Sequence, residues 1–267
     1  MGIAYDFSLA KAYLHISPEG AEHLLEEHHP NVFFDEPRLQ ELMRVAGTTV
    51  QAYDLKLPGS FLGTSLANLC LTKLIFLAQY GCTLDLSADR ILFQIEYKEG
   101  HGHPHLGYKV VEVVASEIPE NGGDEFVLAD WSAYISEFVT PAVEAIAKAA
   151  GFKPEAIWQQ FGGIVGNLVD FAEKSPMPEA MKASLLHHVR LLSESIPPEL
   201  FHSRRNPFMS KIRYVESPYK AGEQWVMKSS CCYYDGREGG EKCFVCPKLT
   251  EEDRRIMKAN IQASILS

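Results

Sequence analysis

Residues 61–80, FLGTSLANLCLTKLIFLAQY, form a twenty-residue apolar run in the first third of the chain, and any fold must keep this run from water. Its length would suffice to cross a bilayer. Asn68, Thr72 and Lys73 interrupt it, however, and each is costly in hydrocarbon. The run therefore predicts a core helix with one buried face, around which the remainder is organised. The opening MGIAYDFSLAKAYLHI has neither a basic leader nor a small-residue cleavage pattern, so no signal peptide and a cytoplasmic location are expected. At 267 residues the chain can bury a true core without disulfides, as one large domain or two small ones.

Around that helix, local patterns predict the other elements. Ser17-Pro18-Glu19 reads as a cap, a first-position proline and a first-turn acid, which predicts a helix over Pro18 to His28, and a second helix follows in the 30s and early 40s. TTVQAYDLK (48–56) alternates like a strand, and RILFQIEYK (90–98) and LGYKVVEVVAS (106–116) read as a hairpin joined by EGHGHPH. DEFVLADW adds a short strand, and Trp131 to Ser195 is helical in period. SKIRYVES (210–217) and EQWVMKSS (223–230) form a second hairpin, and Thr250-Glu251-Glu252-Asp253 has capping-box spacing for a terminal helix. The expected fold class is α+β: a strand-rich N-terminal part (1–130), then a central helical bundle, a C-terminal hairpin leading to a cysteine segment (229–249) and a terminal helix within 131–267. Two lobes around a cleft would satisfy this order.

Four of six cysteines fall within SSCCYYDGREGGEKCFVCPKL as Cys231-Cys232, ten residues, Cys243, two residues, Cys246. In a reducing cytoplasm such clusters are metal ligands or redox groups rather than disulfides, whereas Cys70 and Cys82, in or beside the apolar run, behave as small hydrophobes. Four thiolates close a site for zinc or for an iron–sulfur cluster. Cys243-Phe-Val-Cys246 has the usual zinc spacing. Adjacent residues on extended backbone point to opposite faces, so Cys231 and Cys232 need either a bent backbone or a centre of two metal atoms. Gly236, Gly239 and Gly240 give the intervening loop room to wrap either kind of centre. Tyr233, Tyr234, Trp225 and Phe244 would shield it from water.

The C-C-x10-C-x2-C arrangement resembles the motif of the FhuF-type ferric-siderophore (ferric hydroxamate) reductases. Trp158 in IWQQFGGIVGNLV is similar to the tryptophan-led helix of that family, and Arg205-Asn206-Pro207-Phe208 resembles its Asn-Pro segment, so the resemblance covers Glu155 to Cys246. It implies a [2Fe-2S] cluster on Cys231, Cys232, Cys243 and Cys246, and one-electron reduction of a ferric siderophore with release of Fe(II). Two departures stand out. Lys228 is followed by two serines, where the family often has basic residues directly before the vicinal pair, and the chain continues into a helix beyond the motif. The rival readings are a zinc-stabilised interaction protein and an iron–sulfur carrier or sensor that does not act on siderophores.

A formal net charge of −10 excludes nucleic acid and anionic membrane surfaces as partners, and no stable membrane insertion is expected. Between Ser203 and Lys228, however, six cations meet only two anions. Arg204, Arg205, Lys211 and Arg213, with Lys228 by the family's pattern, are candidates to receive an anionic ferric siderophore of hydroxamate or citrate-hydroxamate type; the alternative is that they pair with acids on a solvated strand. FGGIVGN lacks the preceding strand of a dinucleotide motif, and no flavin or nicotinamide fingerprint is present, so electrons are expected from a ferredoxin or flavodoxin-like partner and the glycines from close helix packing. His101, His103 and His105 have a spacing able to hold a metal, although Gly100, Gly102 and Pro104 favour a tight turn with exposed imidazoles. His28-His29 and His187-His188 read as surface pairs on helices.

Overall fold

The computed structural model describes residues 5–100, 102–209 and 211–266. Its architecture is mixed α+β, built around helix α3 (Lys56–Tyr80). Among the described residues α3 is the one helix long and apolar enough to cross a membrane, and 78% of its apolar window is buried inside the protein, as expected of a core helix. The single buried face is not what is observed: buried residues run around nearly the whole circumference, because α5 (Thr140–Ala150), α6 (Pro154–Lys174) and α7 (Glu179–Ser195) all pack on it. Its polar interruptions are satisfied internally. Thr72 Oγ1 donates to Asn68 O, and Lys73, 1% exposed, pairs with Asp130 at 3.0 Å and donates to Leu84 O at 2.6 Å. Gly59 and Gly63 allow the close approach, since a Cβ at either would fall 2.4 Å from Ala150 Cβ or 2.8 Å from Ile157 Cγ1. One contiguous hydrophobic core runs from Phe7 to Phe208.

A four-stranded sheet lies against one side of α3. It is ordered β1 (Ile16–Ser17), β5 (His105–Val110), β4 (Ile91–Glu96), β2 (Leu24–His28). β4 and β5 form the expected hairpin, with Glu96 opposite His105, and β1 pairs with β5 in parallel. The longer strand expected over 106–116 is divided: it turns after Val110, and β6 (Ala115–Glu117) pairs with β3 (Cys82–Leu84) instead.

Three expectations are corrected. Pro18 to His28 is not a helix: Gly20 adopts φ +74°, and the carboxylate of Glu96 takes the backbone N–H groups of Glu22 and His23, which leads the chain into edge strand β2. His28 and His29 consequently end a strand, and the His29 ring caps the short 3-10 turn Pro30–Phe34. Residues 48–56 are not a strand. Helix α2 (Glu36–Thr48) continues into them, Thr48 and Thr49 return their hydroxyls to the carbonyls of Arg44 and Ala46, and a turn at Gln51 leads into α3. DEFVLADW is helical within α4 (Gly123–Tyr134): Asp124 and Glu125 occupy the first turn, where the helix dipole favours acids, and Val127 and Trp131 bury one face.

From α4 onward the chain follows the expected order. Helix α4 passes through a π turn at Ile135–Val139 into α5, with Pro141 at its start. β7 (Tyr214–Glu216) and β8 (Gln224–Val226) form the second hairpin, and helix α8 (Glu251–Leu266) ends the chain. The predicted capping box is present, with Asp253 accepting from Thr250 N at 3.0 Å and Thr250 Oγ1 accepting from Asp253 N at 3.1 Å. His188, expected at the surface, is buried with its Nδ1 2.8 Å from Ser184 O, while His187 meets Asp124 at 2.9 Å.

Candidate functional site

The cysteine segment is held from three directions. Residues just before α3 bind its loop by backbone: Tyr53 N donates to Gly236 O at 2.9 Å, Glu238 N to Gln51 O at 3.0 Å, and Ala52 bridges Arg237. From α6, Gln160 Nε2 reaches Cys231 O at 2.8 Å and Ser60 Oγ at 2.9 Å. From α8, Arg254 donates to Phe244 O at 3.2 Å and Cys246 O at 2.9 Å, and Lys258 meets Glu216 of β7 at 2.7 Å. The helix beyond the motif is thus a clamp on the cysteine loop.

The glycines of FGGIVGN explain how closely α6 approaches. A Cβ at Gly163 would lie 2.5 Å from Ser229 Oγ, and one at Gly166 2.9 Å from Ile212 Cγ1. The glycines serve packing, as the sequence suggests. Trp158 and the Asn-Pro segment are structural too. Trp158 joins Phe161, Phe201 and Phe208 in a buried aromatic cluster. Buried Asn206 donates to Leu192 O and Ile196 O at the end of α7 and accepts from Phe208 N.

The vicinal pair is accommodated by a bent backbone. Tyr233, directly after Cys232, adopts φ +56°, a left-handed conformation uncommon for a bulky residue. The bend lets Tyr233 N donate to Cys231 Sγ at 3.4 Å. Cys243 and Cys246 are joined by a tight turn, with Cys246 N donating to Cys243 O at 2.8 Å, and Lys228 N donates to Val245 O at 3.0 Å. Lys228 Nζ lies 3.1 Å from Cys232 Sγ. Cys231 and Cys246 are buried, Cys232 and Cys243 half-buried, and all four are free thiols.

Cations answer these sulfurs. Burial opposes the Lys228 ammonium, but the charge and hydrogen bond of Cys232, followed by Cys243 and Cys246, outweigh it and hold its pKa above the usual lysine range. Lys248 is raised chiefly by its hydrogen bond to Cys231. Burial pushes the Cys243 thiol up, Lys228 pulls it back, and the neighbouring Cys232 and Cys246 add to the rise. Tyr233 stacks on Phe152 at 5.4 Å, and Phe244 packs edge-on to Trp225 at 6.3 Å, so aromatic rings do flank the segment.

Beside the cysteines opens a cleft of about 700 Å³. Cys232, Lys228 and Tyr234 line it together with Asn68 from α3, Asn167 from α6 and, from the start of β5, His105. No Asp or Glu lines it among the described residues, in a chain of net charge −10. Of the five sequence candidates for anion binding, Lys228 lines this cleft; Arg204, Arg205, Lys211 and Arg213 are exposed and lie outside its lining. His101 lies outside the described residues. His103 is exposed, as the turn reading expects, but His105 is half-buried on β5. His15 and Glu96 carried no local signal in the sequence; the sheet brings them to His105, where one donor atom of each lies within 4.8 Å of the others. Among the described residues the cysteine sulfurs are not drawn together in threes in that way.

Comparison with known protein families and with curated proteins finds no match to this chain.

Proposed function

We propose that this protein is a cytoplasmic ferric-siderophore reductase that holds a [2Fe-2S] cluster on Cys231, Cys232, Cys243 and Cys246. The observation that carries the reading is the opening of Cys232 onto a cleft with no carboxylate among its described lining residues, with the Lys228 ammonium on its sulfur. The donor set fits the cluster. N–H groups aimed at thiolate sulfurs are the contacts such centres use to set their potential. When bound, such a cluster supplies one electron at a time, matching the single-electron difference between Fe(III) and Fe(II).

The chain's own residues do the rest. The cleft volume falls within the range of small-ligand sites. Its amides Asn68 and Asn167 offer hydrogen bonds to hydroxamate or citrate oxygens, and Lys228 offers the positive charge. A ferric chelate held there is close to the cysteine end of the site. Once reduced, the ion is softer and less charged, and hard oxygen donors hold it poorly. Electrons would arrive from a separate ferredoxin or flavodoxin-like carrier. The basic residues outside the cleft, Arg204, Arg205, Lys211 and Arg213, suit the docking of such an acidic carrier or the first encounter with an anionic chelate.

The reading is tested by anaerobic purification followed by absorption, iron and sulfide analysis, and EPR after dithionite. A reddish protein with iron and acid-labile sulfide in equal amounts supports it, and a colourless protein containing zinc would overturn it. The role of Lys228 has its own expected result. Lys228→Gln should weaken binding of an anionic ferric siderophore by roughly three- to ten-fold at low salt, with a smaller effect at high salt and little effect on a neutral ferric hydroxamate. Titration by fluorescence quenching reads this, and equal affinities in the variant would return Lys228 to a purely structural contact.

A further inference from the structure

A second constellation lies where this cleft meets a smaller pocket: His15 and His105 line both, and Glu96 lines the smaller one. His15, Glu96 and His105 are half-buried, and their donor atoms lie within 4.8 Å of one another. Three elements build it. Glu96 ends β4 and is the cross-strand partner of His105, which begins β5. His15 closes α1 (Ser8–Leu14) in the left-handed conformation, and its carbonyl accepts from Tyr108 N at 2.9 Å. Gly107 makes that approach possible, because a Cβ there would sit 2.0 Å from His15 O and 2.6 Å from His15 Cβ.

The orientation of the carboxylate is fixed by the backbone. Glu96 Oε1 accepts from Glu22 N at 3.1 Å and His23 N at 3.0 Å, while Oε2 faces His105 Nδ1 at 3.8 Å. The His15 and His105 rings lie 4.1 Å apart, and the His103 ring lies 5.1 Å from His105. Two imidazoles and one carboxylate, the latter held by outer hydrogen bonds, suit first-row divalent ions rather than calcium or magnesium. Ligands about 2.1 Å from one ion lie about 3.4 Å from each other, and the two imidazoles, stacked at 23°, would turn out of their stack to aim their in-plane lone pairs at one ion.

We propose that His15, Glu96 and His105 form a binding site for a divalent first-row transition-metal ion. Resting on the reductase reading, its occupant is the ferrous ion released in the adjoining cleft: the nitrogen donors take Fe(II) where the chelator's hard oxygens give it up. The site would then receive the ion before it leaves the protein.

Cobalt(II) is the probe, titrated into the full-length protein with its cysteine centre as isolated. The expected result is one equivalent bound, with ligand-field absorption and no new sulfur-to-metal charge-transfer band. Glu96→Gln, which keeps an acceptor for the two backbone N–H groups, and His15→Asn, which tolerates the left-handed backbone, should each weaken cobalt binding about ten-fold or more. Their thermal unfolding and the visible absorption of the cysteine centre should stay at wild-type values. Absence of bound cobalt, or equal affinity in both variants, would overturn the site. Cobalt binding that behaves as expected in a protein without a cluster would leave the site standing and remove its ferrous role. A cluster-bearing, siderophore-reducing protein that ignores cobalt would overturn the site and leave the reductase reading standing.

Discussion

Cys243→Ser, purified anaerobically, is expected to lose the visible absorption and EPR signal of the wild-type protein, and its ferric-siderophore reduction should fall to background. A serine oxygen is a harder and weaker donor than a thiolate. Cys243 shares its tight turn with Cys246 and has Lys228 and Cys232 for electrostatic neighbours, so on the proposed function its loss removes one of four ligands. The control is Cys70→Ala. Cys70 is buried in α3, and burial pushes its thiol up to about 12, so it stays protonated and inert. That variant should keep the full spectrum and lose only some stability. If Cys243→Ser retains normal absorption, Cys243 is not a ligand.

Asp130→Asn is expected to destabilise the protein by about 3 kcal/mol without touching the cysteine site. Lys73 is 1% exposed, and its counter-charge Asp130 is 28% exposed. Removing that carboxylate strands an ammonium among apolar side chains, with Leu84 O at 2.6 Å and the ring faces of Tyr134 at 4.9 Å and Trp131 at 5.9 Å as its neighbours. The pair contributes little in net terms, because both charges were desolvated to make it. Breaking it is what costs. The double variant Lys73→Met/Asp130→Asn should therefore recover most of the loss. Chemical denaturation measures both, and a single variant within about 1 kcal/mol of wild type would show that Lys73 reaches water or sheds its charge at little cost.

What could be read from the sequence was whatever a short stretch decides for itself. The capping box at Thr250, the apolar run of α3, the helical periods after Trp131 and the two hairpins are written locally, and all appear in the structure. The corrections come where distant residues intervene. Pro18–His28 carried a sound helix-start signal, but Glu96, more than seventy positions away, takes the N–H groups a helix would have used. Thr48-Thr49-Val50 is strand-like in composition, yet the preceding helix absorbs both hydroxyls.

The candidate site divides in the same manner. Cys231, Cys232, Cys243 and Cys246 announce themselves by spacing, and Lys228 by its place just before them. The cleft does not, because it is assembled from α3, α6, the stretch after β8 and the start of β5. The clustering of basic residues pointed to a stretch of chain rather than a surface, and tertiary packing turns one of its five candidates into the cleft. His15 and Glu96 were invisible for the same reason. Only strand register places them beside His105, the one member whose surroundings in the sequence suggested a metal.

The central claim is that the cysteine centre passes single electrons to a chelated ferric ion held in the adjoining cleft. Anaerobic stopped-flow mixing of chemically reduced protein with a ferric hydroxamate, in the presence of a ferrous chelator, tests it most directly. The visible absorption should return to its oxidised form in step with the ferrous chelate, one ferrous ion appearing for each centre reoxidised. A protein that stays reduced while no ferrous chelate forms would contradict the account.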